Sequence, residues 1–137
     1  MNEVRGIRNN NPLNIRKGSN WKGERPEQKD PAFEEFISME YGIRAALKLM
    51  INHITGFGGS RRKANTLQKL VWVWAPPNEN NSAAYVRTVA SACDMSPQTL
   101  LNPNNEKQIC AVCRAMAKVE TGVWLDESLF HSAWALK

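Results

Sequence analysis

A glutamate at the end of a helix and a cluster of asparagines near the start of the chain are the residues whose types and spacing could do chemistry. Glu120 stands in the last turn of a segment in which Ile109, Cys113 and Met116 share one face, with Lys107, Arg114 and Lys118 on the other. It follows Ile109 by eleven residues, which at about 100° per residue places it over the apolar stripe. A carboxyl group there is partly desolvated and lies at the negative end of the helix dipole. Both effects disfavour its charged form, as a general acid requires. The alternative is a side chain that curls outward at a frayed terminus toward Lys118 or solvent. In Arg5-Gly6-Ile7-Arg8-Asn9-Asn10-Asn11-Pro12-Leu13-Asn14-Ile15-Arg16, the amides of Asn9, Asn10, Asn11 and Asn14 form an array of neutral donors and acceptors. Such an array suits a polar, largely uncharged ligand such as a sugar. The same residues equally suit a rigid turn whose amides only cap backbone.

The remaining polar residues offer less. Glu34 and Glu35 occupy adjacent strand positions, so one is expected to face solvent. Asp30 before Pro31 reads as a turn residue, and Glu79 in Pro76-Pro77-Asn78-Glu79-Asn80 sits on a loop that could line a cleft. His53 and His131 lie in separate helices with no Ser or Cys arrangement that points to a triad. Cys93, Cys110 and Cys113 are an odd number and Cys110-x-x-Cys113 stands alone. Buried reduced thiols are expected, and neither a disulfide framework nor a zinc site.

The elements that must position these groups are mostly helical. Ile43, Leu47, Met50 and Ile54 make one face of a helix over 41–55, which Gly56-Phe57-Gly58-Gly59-Ser60 stops. A second helix covers 66–74 and ends before Pro76-Pro77. Asn80, Asn81 or Ser82 caps a third, running to about Cys93. A fourth spans 105–122 and a fifth 126–136. Segments 13–16, 21–23 and 32–38 are short, β-leaning and separated by turn residues, and predict a small antiparallel sheet near the N-terminus. The fold class is therefore α+β and mostly helical, as one domain over 1–137.

With 42% hydrophobic and 23% charged residues, the composition is that of an ordinary globular protein. No apolar run reaches the ~20 residues of a bilayer span, so stable membrane insertion is not expected. Met1-Asn2-Glu3-Val4-Arg5 lacks the layout of a signal peptide, which predicts synthesis in the cytoplasm. The net charge of +5 favours an anionic partner. The basic residues are scattered apart from Arg61-Arg62-Lys63, no nucleic-acid motif is present, and nucleic acid is not expected as a ligand.

Several segments together resemble the lysozyme-like family of lytic transglycosylases and endolysins. Trp72-Val73-Trp74-Ala75-Pro76-Pro77 and Asn78-Glu79-Asn80-Asn81-Ser82-Ala83-Ala84-Tyr85-Val86-Arg87-Thr88-Val89 are similar to the end of that domain. There a Tyr-Asn-Ala-Gly segment closes one helix and the next carries Tyr-Val. Here Val73-Trp74 stands at the Tyr-Asn positions and Pro76 at the Gly. Tyr41-Gly42-Ile43-Arg44-Ala45-Ala46-Leu47-Lys48-Leu49 resembles the long preceding helix. The turn 9–15 and Trp21-Lys22-Gly23 resemble the stretch after the catalytic helix in related bacterial glucosaminidases. The opening Gly-Ile-Arg-Asn-Asn-Asn-Pro is similar to that of small phage virion-associated or endolysin-type proteins. In those families the catalytic glutamate precedes the Asn turn, whereas here Val119-Glu120-Thr121-Gly122 follows it. The resemblance therefore implies a circularly permuted lysozyme-like fold.

It also implies a peptidoglycan-cleaving glycosidase acting on the β-1,4 bond between N-acetylmuramic acid and N-acetylglucosamine, with bacteriolysis as the outcome. Glu120 would be the acid and base; Tyr85 and Asn9, Asn10, Asn11 and Asn14 would orient the sugar; Trp21 or Trp74 would offer a stacking face, and Glu79 would line the cleft. A lytic transglycosylase is favoured over a hydrolytic muramidase because no second carboxylate is obvious. No metal or organic cofactor is implied. The expected partner is the glycan strand, met by a monomer released to the wall or carried on a phage particle. The alternative from another class is a non-catalytic phage structural or wall-binding module with the same fold.

Overall fold

The computed structural model describes residues 4–56 and 63–137; Phe57-Gly58-Gly59-Ser60 and Arg61-Arg62, read above as a helix stop and part of a basic cluster, lie outside the described residues. Each long helix forms where an apolar stripe is bracketed by capping chemistry. In α2 (Met39–Thr55) the Ser38 hydroxyl accepts from the Tyr41 N–H, and Gly56 ends the helix at φ 73°, a left-handed conformation that suits glycine. Its stripe of Ile43, Leu47, Met50 and Ile54 is buried, each side chain contributing about 1.5–3 kcal/mol of transfer free energy. Thr66 caps α3 (Leu67–Trp74), and the Ala75-Pro76 step closes it, since the residue before proline is driven out of the helical region. Asn81, Asn105 and Asp126 cap α4 (Ser82–Ala92), α5 (Glu106–Thr121) and α6 (Glu127–Ala135) through side-chain oxygens that accept from backbone N–H groups two or three residues on.

A short helix, α1 (Arg5–Arg8), precedes these where the sequence reads as part of the Asn turn. It packs on α5, which also touches α2, α4 and α6 and so forms the centre of the bundle. Gly6 permits that contact: a Cβ there would lie 3.0 Å from Asn11 O and 3.4 Å from Thr121 Cγ2. Among the described residues, no helix is long and apolar enough to cross a membrane.

The predicted sheet is reduced to isolated antiparallel bridges, Arg16 with Phe33 and Glu24 with Phe36. Residues 17–32 contain Gly18, Gly23, Pro26 and Pro31, which interrupt a ladder before it can extend. Side-chain bonds hold this region instead. Asp30 accepts from Arg5 Nε at 2.6 Å, from Asn9 Nδ2 at 2.9 Å and from the backbone N–H groups of Ala32 and Phe33. The Arg5 guanidinium, with these backbone and amide donors, holds the Asp30 carboxyl well below the usual carboxylate range. Nor is either of the adjacent glutamates solvated, contrary to simple alternation: Glu34 and Glu35 are both buried. Glu35 accepts from Arg25 Nη1 at 3.2 Å and from the N–H groups of Lys29 and Asp30.

Candidate active site

Four asparagines in one turn serve two purposes. Asn10 and Asn14 adopt φ values of 53° and 54°, the left-handed region that asparagine tolerates better than other non-glycine residues. Three of the amides then bond to backbone or to a neighbouring acid. Asn9 donates to Asp30. Asn10 donates to Phe36 O at 3.1 Å. Asn11, fully buried, donates to Ile15 O at 2.9 Å and Glu34 O at 3.0 Å and accepts from the Ile15 N–H. For Asn9, Asn10 and Asn11 this is the structural role, not the ligand-facing one: Asn10 and Asn11 satisfy backbone carbonyls that would otherwise lack a donor, and Asn9 supports the Asp30 carboxylate.

Asn14 differs. Its Nδ2 donates to Glu120 Oε1 at 2.9 Å across 106 residues of sequence. Glu120, half-buried in the last turn of α5, also faces Tyr85 of α4. The Tyr85 hydroxyl lies 3.4 Å from Met116 O. Burial first, and then the charge of Glu120, push its phenol far above the ordinary value, so it stays a donor at any working pH.

Two grooves adjoin at the Asn14–Glu120 bond. One, of about 380 Å³, is lined by Asn80, Asn81, Ala84, Tyr85, Thr88 and Glu120, with Val119. The other, of about 400 Å³, runs from Asn14 past Arg16, Lys17 and Ser19 to Trp21, His53 and Trp74. The Trp74 indole N–H donates to Leu13 O at 3.2 Å and its ring meets His53 edge-on, with centroids 6.4 Å apart. Glu79 is exposed on the turn after α3 and lines neither groove; its neighbours Asn80 and Asn81 do. Nothing in local sequence marked Thr88 or His53 as groove residues, although Thr88 lies one helical turn from Tyr85.

A smaller cavity of about 220 Å³ elsewhere is lined by residues that include Cys110, Arg114, Trp124 and His131. Burial pushes the Cys110 thiol up to about 11, so it offers no thiolate at neutral pH. All three cysteines are free. Among the described residues, no group of three or more His, Cys, Asp or Glu could hold a metal ion.

The chain thus presents an α-rich bundle with a carboxyl, amide and phenol gathered at the junction of two grooves. It belongs to the family of Protein P5 of Pseudoalteromonas phage PM2, to which it is 35% identical over 127 residues, covering 89% of this chain and 74% of that protein. No family model matches the sequence.

Proposed function

We propose that this protein is a peptidoglycan-cleaving glycosidase of phage type, a lytic transglycosylase, in a circularly permuted lysozyme-like fold. The observation that carries the reading is the Asn14–Glu120 hydrogen bond beside Tyr85. It brings the turn and the acid together in the relation that the family resemblance implies, although in this chain the acid comes last. In the proposed reaction Glu120 protonates the glycosidic oxygen between N-acetylmuramic acid and N-acetylglucosamine as the bond breaks. It then withdraws the proton from the muramic acid 6-hydroxyl, which closes on C1 as a 1,6-anhydro ring. Proton and leaving group balance without water or a cofactor. Asn14 holds the carboxyl orientation, and Trp21 and Trp74 line the neighbouring groove as faces for sugar rings.

The choice of transglycosylation rests on the carboxylate count. A hydrolase of this kind uses two carboxyl groups, roughly 5 Å or 6.5–9.5 Å apart. Among the described residues lining the two grooves, Glu120 is the sole acid. Mass analysis of fragments released from purified sacculi tests the choice: anhydro-muramic ends are expected, and reducing ends would refute it.

Asn14→Gly separates positioning from folding. Glycine keeps the left-handed backbone at no steric cost and removes only the amide. Lytic rate is expected to fall by about 10²-fold, the cost of a misplaced catalytic group, while the melting temperature changes by only a few degrees. Equal rates for parent and variant would remove Asn14 from the site.

A further inference from the structure

Beside the second groove lies a buried acid that the proposed reaction does not use. Glu34 is 4% exposed, and among the described residues no N–H or O–H donates to its enclosed Oε2. An enclosed carboxylate oxygen without a donor is costly. The side chain that faces the Glu34 carboxyl is another carboxyl, that of Glu24. Two carboxylates so placed repel, whereas one proton between them turns the repulsion into a charge-assisted hydrogen bond.

Glu24 is a tie point for the groove. Its Oε1 accepts from the Trp21 backbone N–H at 3.1 Å, and its backbone bridges Phe36. The indole N–H of Trp21, which lines the groove, is buried without an acceptor among the described residues. Packing therefore holds this ring, and the bond to Glu24 fixes the backbone that carries it.

We propose that Glu34 is a positioning residue: its carboxyl keeps a proton, donates it to Glu24, and the pair fixes the turn that sets Trp21 in the groove beside Asn14. The other charged groups nearby leave this role to Glu24. Lys17 faces Glu34 and opposes the effect. Glu35 is committed to Arg25, and the Arg16 guanidinium lies over the Phe33 ring at 5.0 Å. Burial first, then the hydrogen bond and charge of Glu24, raise Glu34 from the ordinary 4.5 to about 7. Between those values the folded protein holds a proton that the unfolded chain releases. The stabilisation is full below pH 4.5, declines across the window and is gone above 7. His53, in the same groove, is shifted the other way by burial and gives a separate titration at lower pH.

The test needs no lytic assay and so stands apart from the glycosidase reading. The indole N–H resonance of Trp21, assigned with Trp21→Phe, is followed in the full chain from pH 5 to pH 8.5. In the parent it should shift with a midpoint near 7. In Glu34→Gln the amide donates to Glu24 without titrating, so the resonance should stay at its acid position throughout. Glu24→Gln, which donates in the opposite direction, should also abolish the shift if Glu34→Gln does not fold. A flat parent profile, or an unchanged midpoint in the folded Gln variants, would overturn the assignment.

Discussion

Glu120→Gln is expected to slow the clearing of purified sacculi by about 10²–10⁴-fold, the range typical of a lost general acid, while leaving the fold intact. The substitution is nearly isosteric, and Gln Oε1 still accepts from Asn14 Nδ2 as Glu120 Oε1 does at 2.9 Å. The position is half-buried at a helix end that Gly122 terminates independently at φ 78°. Melting temperature and helical circular dichroism should therefore match the parent. What the variant lacks is a group that can give a proton to the glycosidic oxygen and take one back from the 6-hydroxyl, as the proposed reaction requires. The measurement pairs turbidity with sacculus pull-down. A variant that clears as fast as the parent removes Glu120 from the chemistry. If neither protein clears sacculi and both bind them equally, the non-catalytic wall-binding reading replaces the enzymatic one. The glutamine form should bind without cleaving, which also makes it the right protein for mapping glycan contacts.

How much of this was legible in the sequence varies with the range of the interactions involved. The helices from α2 to α6 follow from local information: an apolar stripe such as Ile43, Leu47, Met50 and Ile54, a capping Asn or Asp, and a Gly or Pro stop. The structure moves their ends by no more than about two residues, within the usual scatter of helix boundaries. The Asn turn is half legible. Its composition announces left-handed residues, but whether an amide turns inward or outward depends on Asp30, Glu34 and Phe36, each more than 20 residues away. Alternation failed at Glu34 and Glu35 for a related reason. The face expected to meet solvent is covered by residues 25–30, whose Arg25, Lys29 and Asp30 bond the Glu35 carboxylate, so both glutamates are buried. The helical phase of Glu120 places it near the apolar face, yet no local pattern links it to Asn14; that pairing was suggested by the family resemblance alone. Glu79 stands on a loop, and loop position carries no information about which side of the turn a side chain occupies.

Gly42→Ala is expected to destabilise the protein by about 3 kcal/mol or more, a fall in melting temperature of roughly 10 °C. In an ordinary helix interior the same change stabilises by about 0.5–1 kcal/mol, because glycine loses more backbone freedom on folding. The sign reverses here because α2 crosses directly over the Asn turn. A Cβ at Gly42 would overlap the carbonyl oxygen of Asn10 and sit 2.9 Å from its carbonyl carbon and 3.4 Å from Asn11 Cα. These are backbone atoms, and the turn cannot yield easily. Asn10 is held in the left-handed region and bonded to Phe36 O, while Asn11 is locked to Ile15 and Glu34 on both faces of its amide. Either α2 lifts from the core, exposing part of the stripe it buries, or the turn shifts and carries Asn14 away from Glu120. The two responses are separable in one variant by thermal melting and by lytic rate at a temperature where the protein is still folded. A shifted turn lowers the rate of the folded fraction about as far as Asn14→Gly does; a lifted helix lowers stability with the rate per folded molecule preserved. A rise in melting temperature would mean that α2 does not press on the turn, and that the seat of Asn14 against Glu120 is set by α1 and α5 alone.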